Sequence, residues 1–376
     1  MDLQIFAFEA TQELGRAVAG QLGQPLAPLE EREFEDREHK ARPLDCVRGA
    51  DAYVVQSLHG SPDQSPNDKL CRLLFFLGTL KTNGAARVTA VTPYLAYARK
   101  DRQTKPRDPL TARYVAQLIE AAGADRVVTT EVHNIVAFQN AFRCEAVALD
   151  ARGVLLDRAA ELAGSGPITV ASPDPGGVKR AQLFREALEA RLGRAVGFAM
   201  MEKRRSAGKV SGSLVAGDFE GARVLVIDDM IASGGTMVRA ARALLERGAA
   251  DVWALAMHGL FTSGAEEALA DPAMAGWIVT DTVPPFRLGE AARARVEVVS
   301  AAPLLAGGGI VRRGEIWSFG KIKKRPRKYK GAQGLRVFDR EYPFHHSTRL
   351  MPHLLCGERS QRRALRPLRH STAADL

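Results

Sequence analysis

The stretch RVLVIDDMIASGGT, residues 223–236, decides the fold. Four consecutive apolar residues, Val224 to Ile227, run into two carboxylates and then into a Ser-Gly-Gly-Thr turn. A short unbroken Val/Leu/Ile run of this kind predicts a parallel strand buried on both faces, and open α/β sheets bind their ligands at the carboxyl ends of such strands. Beyond the turn, Met237, Val238, Ala241, Leu244 and Leu245 recur at helical spacing, and Gly248 supplies a stop. Ser233, Gly234, Gly235 and Thr236 therefore fall at a helix N-terminus, where backbone N–H groups, the helix dipole and two hydroxyls suit a phosphate monoester. Asp228 and Asp229 would repel a phosphate; they suit hydroxyl donors or a metal.

Composition bounds the rest. The chain has 376 residues, 46% hydrophobic and 26% charged, which predicts a globular protein with room for two domains. No apolar run approaches the roughly 20 residues that span a bilayer, and the start, MDLQIFAFEA, lacks a signal-peptide pattern. Cys46, Cys71, Cys144 and Cys356 lie far apart without metal-ligand spacing, as in a reducing compartment, so a cytoplasmic protein is expected. The net charge of +10 is local: residues 321–376 hold 15 Lys and Arg against 4 Asp and Glu, while residues 1–320 hold 38 against 39. That tail has scattered prolines and little periodicity, which predicts disorder. Any affinity for nucleic acid or an acidic partner would reside there alone.

A ligand with sugar hydroxyls at one end and a phosphate at the other fits residues 228–236, and ribose 5-phosphate has that form. IDDMIASGGT resembles the phosphoribosyl-binding loop shared by type I phosphoribosyltransferases and ribose-phosphate diphosphokinases (PRPP synthases). Other stretches decide between the two. EFEDRE, residues 33–38, resembles the diphosphokinases' Phe-x-Asp-Gly-Glu element, which implies that Phe34, Asp36 and Glu38 contact the adenine of ATP bound by a neighbouring subunit. Arg37 replaces the usual glycine, so a reshaped turn is expected. PYLAYARKDR, residues 93–102, is similar to the family's mobile arm and implies ATP binding by Arg99, Lys100 and Arg102; arginine forks suit phosphate oxygens. The strand over 125–130 delivers Glu131-Val132-His133, where the resemblance puts His133 beside the ATP phosphates and magnesium.

SPDPGGVKRA, from Ser172, resembles the diphosphokinases' Ser-Pro-Asp-x-Gly-Gly element and implies that Asp174 serves a metal ion. Residues 206–217 read as a Gly/Ser-rich flexible loop following Lys203-Arg204-Arg205. A cationic lid suits diphosphoryl transfer because charge builds on phosphate oxygens in the transition state. The resemblance gives that catalytic role to Lys203 and Arg205.

The expected fold is α/β: two similar phosphoribosyltransferase-like domains, 1–148 and 149–306, each a mainly parallel sheet flanked by helices, then an atypical basic tail, 307–376. Three glycines, 307–309, are expected to spoil the family's closing helix. The implied reaction is diphosphoryl transfer from ATP to the anomeric hydroxyl of ribose 5-phosphate with Mg2+, in a homo-oligomer whose ATP site is shared between subunits. Two rivals stay open at this level. A phosphoribosyltransferase would share residues 228–236, and a catalytically silent paralogue would account for Arg37 and Ala232, the latter standing where many members carry aspartate.

Overall fold

Strand and helix alternate over much of the chain, broken by a polar antiparallel ribbon, Leu29–Glu33 with His39–Pro43, and by the antiparallel pair Gly197–Ser206 and Lys209–Gly217; the strands of the parallel sheets are mostly short apolar runs. The computed structural model describes residues 2–150, 152–206 and 209–310, with the side chains of 202–214 excepted. The first half comprises β1 (Leu3–Ala7), α1 (Gln12–Gln21), β2 (Leu29–Glu33), β3 (His39–Pro43), β4 (Asp51–Val55), α2 (Pro66–Thr82), β5 (Arg87–Thr92), α3 (Thr111–Ala121), β6 (Arg126–Thr130), α4 (Ile135–Ala141) and β7 (Glu145–Leu149). The second comprises α5 (Arg152–Ala163), β8 (Ile168–Ser172), α6 (Val178–Leu192), β9 (Gly197–Ser206), β10 (Lys209–Gly217), β11 (Arg223–Ile231), α7 (Gly235–Leu245), β12 (Asp251–Gly259), α8 (Ala265–Ala270), β13 (Gly276–Thr280), α9 (Glu290–Arg293), β14 (Val296–Val299) and α10 (Ala302–Leu304).

The first sheet is wholly parallel in the order β1-β4-β5-β6-β7. The second runs β10-β9-β8-β11-β12-β13-β14, and only β10 is antiparallel to its neighbour. In β11, Leu225 lies between Val170 of β8 and Trp253 of β12, so both edges of the decisive strand are paired. An apolar layer built from α1, α5, α6 and α10 meets one face of each sheet: Val55, Val91 and Val128 from the first, Val170, Leu225 and Ile278 from the second. Helix starts follow local chemistry. Ser65 Oγ accepts from Asp68 N (3.2 Å) while Asp68 Oδ2 accepts from Ser65 N (2.7 Å), a reciprocal cap with Pro66 inside the first turn of α2.

Four expectations need correction. β11 does not end before the carboxylates; it continues through Asp228 and Asp229 to Ile231. The loop expected over 206–217 is mostly the antiparallel partner of β9, with Lys203 opposite Ser213. Residues 34–38 do form the tip of the β2–β3 ribbon, but Arg37 does not avoid the angle glycine would supply: it takes φ +72° itself, at a steric cost of about 1 kcal/mol. The three glycines do not stop the last helix: a π-type turn, Leu305–Gly309, prolongs α10. Glycine is needed there for approach, since a Cβ on Gly308 would stand 2.7 Å from Leu149 Cδ2. Residues 311–376, most of the expected tail, lie outside the described residues. Among the described residues no helix is long and apolar enough to cross a membrane.

α2 also carries Lys69, whose side chain is fully buried with no hydrogen-bond partner for Nζ among the described residues. Burial, and then the charge of Arg287, push its amine down to about 8. Below that pH the folded chain keeps a buried, unpaired cation; above it the amine loses its proton while the unfolded chain holds on, so stability rises from about pH 8 towards 10. Lys69→Met is expected to abolish that rise and to stabilise the protein at pH 7 by on the order of 3 kcal/mol. Denaturant melts of both proteins across pH 7–10 test this, and parallel curves would refute it.

Candidate active site

The carboxyl ends of β6, β8 and β11 converge on a cavity of about 970 Å³. β11 brings Asp228 and Asp229; the turn Ala232-Ser233-Gly234 then enters α7. Gly234 caps that helix at φ +76°, and a Cβ on it would stand 2.8 Å from Ala268 Cβ, so both conformation and packing demand glycine. Ser233, Gly234 and Thr236 line the cavity, and Arg239 adds a guanidinium that donates to Thr236 Oγ1 (3.1 Å). The turn therefore has N–H groups, hydroxyls and a cation on one side, the requirements of a phosphate seat.

Opposite lies the loop after β6. His133 Nδ1 is 3.2 Å from Asp229 Oδ2. That contact joins residues from different sheets. Arg180, in the first turn of α6, occupies the seam: Nε donates to Glu131 Oε1 (2.8 Å), and Nη1 donates to Asp228 Oδ1 (3.3 Å) and lies 3.7 Å from Asp229 Oδ1. Asp228 is the more open carboxylate, 23% exposed against 4% for Asp229. Burial and the hydrogen bond and charge of Asp229 hold the Asp228 carboxyl well above the ordinary range. Burial alone would raise Asp229 too, but its hydrogen bond to His133 and the Arg180 charge hold it low. That same hydrogen bond raises the imidazole of His133.

Asp174 reaches the cavity from the β8–α6 turn, where Oδ1 accepts Gly177 N–H (3.1 Å). Among the described residues no three His, Cys, Asp or Glu side chains gather closely enough to enclose a metal ion. Magnesium commonly takes one or two carboxylates and completes its shell with water and substrate phosphates. Asp174 lines the cavity and fits that sparse set as a single carboxylate, and His133 lines the same cavity.

Of the residues singled out in the sequence, the structure brings Arg99, Arg102, His133, Asp174, Asp228, Asp229, Ser233, Gly234 and Thr236 to this cavity. Gly235 begins α7 beside it. Lys100 is elsewhere: Nζ donates to Asp108 Oδ2 (2.6 Å) and folds the arm on itself. Phe34, Asp36 and Glu38 sit at the ribbon tip, where Phe34 N donates to Glu38 O (2.8 Å) and Glu38 N to Asp36 Oδ1 (3.1 Å). The backbone of Lys203 and Arg205 belongs to β9, and their side chains lie outside the described ones. Arg180, Glu131 and Arg239 were not singled out. For Arg180 a signal existed: a cation in a helix's first turn opposes the macrodipole and calls for a carboxylate nearby.

Known proteins resemble the chain over most of its length. Residues 3–123 match a family described as the N-terminal domain of ribose phosphate pyrophosphokinase, and residues 199–314 a phosphoribosyl synthetase-associated domain. A ribose-phosphate pyrophosphokinase of Caldanaerobacter subterraneus subsp. tengcongensis is 37% identical over 306 residues, covering 81% of this chain and 92% of that one. That of Hyphomonas neptunium is 37% identical over 304 residues, covering 81% and 94%. The crystal structure of phosphoribosylpyrophosphate synthetase from Mycobacterium smegmatis superposes with a TM-score of 0.72 at 35% identity, covering 81% of this chain and 97% of that one.

Proposed function

The chain belongs to the ribose-phosphate pyrophosphokinase family, and on that premise we propose that its cavity transfers the diphosphoryl group of ATP to the anomeric hydroxyl of ribose 5-phosphate, giving 5-phospho-α-D-ribose 1-diphosphate and AMP. One observation carries the reading: a phosphate seat, a carboxyl pair and the nucleotide-side residues Arg99, Arg102 and His133 line the same space. Both reactants can meet there.

Residues 233–236 hold the 5-phosphate, and Asp228 and Asp229 accept hydrogen bonds from the ribose hydroxyls. The anomeric oxygen attacks the β-phosphorus in line as AMP leaves, a step governed by positioning and charge stabilisation. Arg99 and Arg102 orient the ATP phosphates, and Lys203 and Arg205, on the β9–β10 ribbon, meet the moving diphosphoryl group. Magnesium held by His133 and Asp174 would neutralise phosphate charge. Phe34, Asp36 and Glu38 reach the adenine of a neighbouring subunit in a homo-oligomer, and Lys100 shapes the arm that bears the two arginines. In this reading the two domains meet at residue 148 and the second ends at 306. The cytoplasmic setting rests on the wide spacing of the four cysteines in the sequence.

The test is AMP release from ATP, with and without ribose 5-phosphate, in magnesium and again after chelation. Release that needs both the sugar phosphate and the metal is expected. Absence of AMP alongside consumption of 5-phosphoribosyl diphosphate and a base would instead identify a phosphoribosyltransferase, and absence of both would identify a silent relative.

A further inference from the structure

The acidic network explains how His133 is engaged from below, but the main chain that carries it has a second anchor. His258 lies near the carboxyl end of β12, is 2% exposed, and projects across the seam between the two sheets. Its Nε2 stands 3.2 Å from the carbonyl oxygens of both Thr130 and Glu131, more than 120 residues earlier in the chain. Its Nδ1 stands 2.9 Å from Thr282 Oγ1. Carbonyls only accept, so Nε2 carries the proton, while Nδ1 faces the Thr282 hydroxyl, which also lies 3.1 Å from Met257 O.

The segment so held is strained. Glu131 has φ +34°, a left-handed angle that a non-glycine residue keeps only when its surroundings enforce it. Two residues on is His133. The arm docks on the same group: the Tyr94 ring meets the His258 ring edge-on at 5.1 Å. Tyr94 N donates to Ser57 Oγ (3.2 Å), and Ser57 Oγ donates to Thr282 O (2.5 Å). Thus the turn bearing His133 and the base of the arm bearing Arg99 and Arg102 are both fastened to the His258–Thr282 pair. Among the described residues the phosphate turn, 232–236, shares no side-chain hydrogen bond with either of them; the link there is main-chain pairing of β12 with β11, Met230 beside His258.

We propose that His258 is a positioning residue for the nucleotide half of the site: it fixes the Thr130–Glu131 carbonyls and seats Tyr94, and so sets where His133 and the arm's arginines meet ATP. The proposal rests on the proposed reaction only for the identity of the nucleotide.

Three variants test it. Glutamine can reach the carbonyls with its terminal N–H2, whereas asparagine and alanine cannot. In the unliganded proteins, hydrogen exchange at residues 130–135 and 94–97 is expected to speed up about tenfold in His258→Asn and His258→Ala, with recovery in His258→Gln and no change at 232–236. By calorimetry the same two variants should bind a non-hydrolysable ATP analogue about tenfold more weakly, while ribose 5-phosphate affinity stays within about twofold. Uniform loosening of both sheets, equal loss for both ligands, or glutamine behaving as asparagine would overturn the positioning role and leave a packing one. A wild-type protein that ignores the ATP analogue would refute the proposed reaction instead, and the exchange pattern would still decide the role of His258.

Discussion

Arg180→Ala is expected to unfold several degrees below the wild type and to lose most of its affinity for ribose 5-phosphate. The guanidinium is 19% exposed and lies among three carboxylates, from Glu131, Asp228 and Asp229. Removing one partner from a buried ionic network typically costs about 3–5 kcal/mol, because the remaining charges keep their desolvation without their attraction. Here the loss also changes the site. Without Arg180 the acidic pair is opposed only by His133, so a phosphate-bearing sugar meets stronger repulsion and a displaced Asp228. Arg180→Lys keeps the charge but not the fork that spans Glu131 and Asp228, so an intermediate result is expected.

The pH dependence of Arg180→Ala gives a second check. Carboxyls that lose their cation are raised in the folded state above their unfolded values, so the folded variant takes up protons more readily. Its stability deficit against wild type should therefore shrink as pH falls from 7 towards 5. A melting temperature and sugar-phosphate affinity equal to wild type would show that the seam does not depend on this arginine.

What the sequence disclosed follows from how local each signal was. The run Val224 to Ile227 announced β11, and Gly234 with the spacing after it announced α7, because burial on both faces and helix entry leave marks in adjacent residues. The strand's true end did not. Asp228 continues β11 by pairing with Ala256 of β12, and the partners of the two carboxylates, Arg180 and His133, lie 48 and 96 residues away. α4 left no apolar stripe to read: Ile135 and Val136 in its first turn are 45% and 62% exposed. Lys100 shows the same limit in the site. Its ion pair is with Asp108, eight residues on, a contact that the charge of the arm did not announce. Asp174 and Asp229, 55 positions apart, do face one cavity, which adjacency in sequence alone had no means to disclose.

Lys203→Ala is expected to lower turnover by about 10²–10³-fold while the apparent affinities for ATP and ribose 5-phosphate stay within about threefold. The argument begins with strand register. β9 runs parallel to β8, with Met200 beside Ser172, the last residue of β8. At about 3.3 Å per residue, position 203 lies roughly 10 Å beyond that end. Asp174 occupies the same overhang, two residues after Ser172, and lines the cavity. The β9 backbone thus leads past the sheet towards the space where the diphosphoryl group must travel. A cation delivered there matters most when charge shifts from the nucleotide to the new bond, and little before. Such an interaction lowers kcat and kcat/KM together when it is removed. The opposite pattern, turnover within about threefold and a raised KM for ATP, would mean that Lys203 binds ground state and transition state alike. Single-turnover rates of AMP formation at saturating substrates separate the two, because they exclude product release.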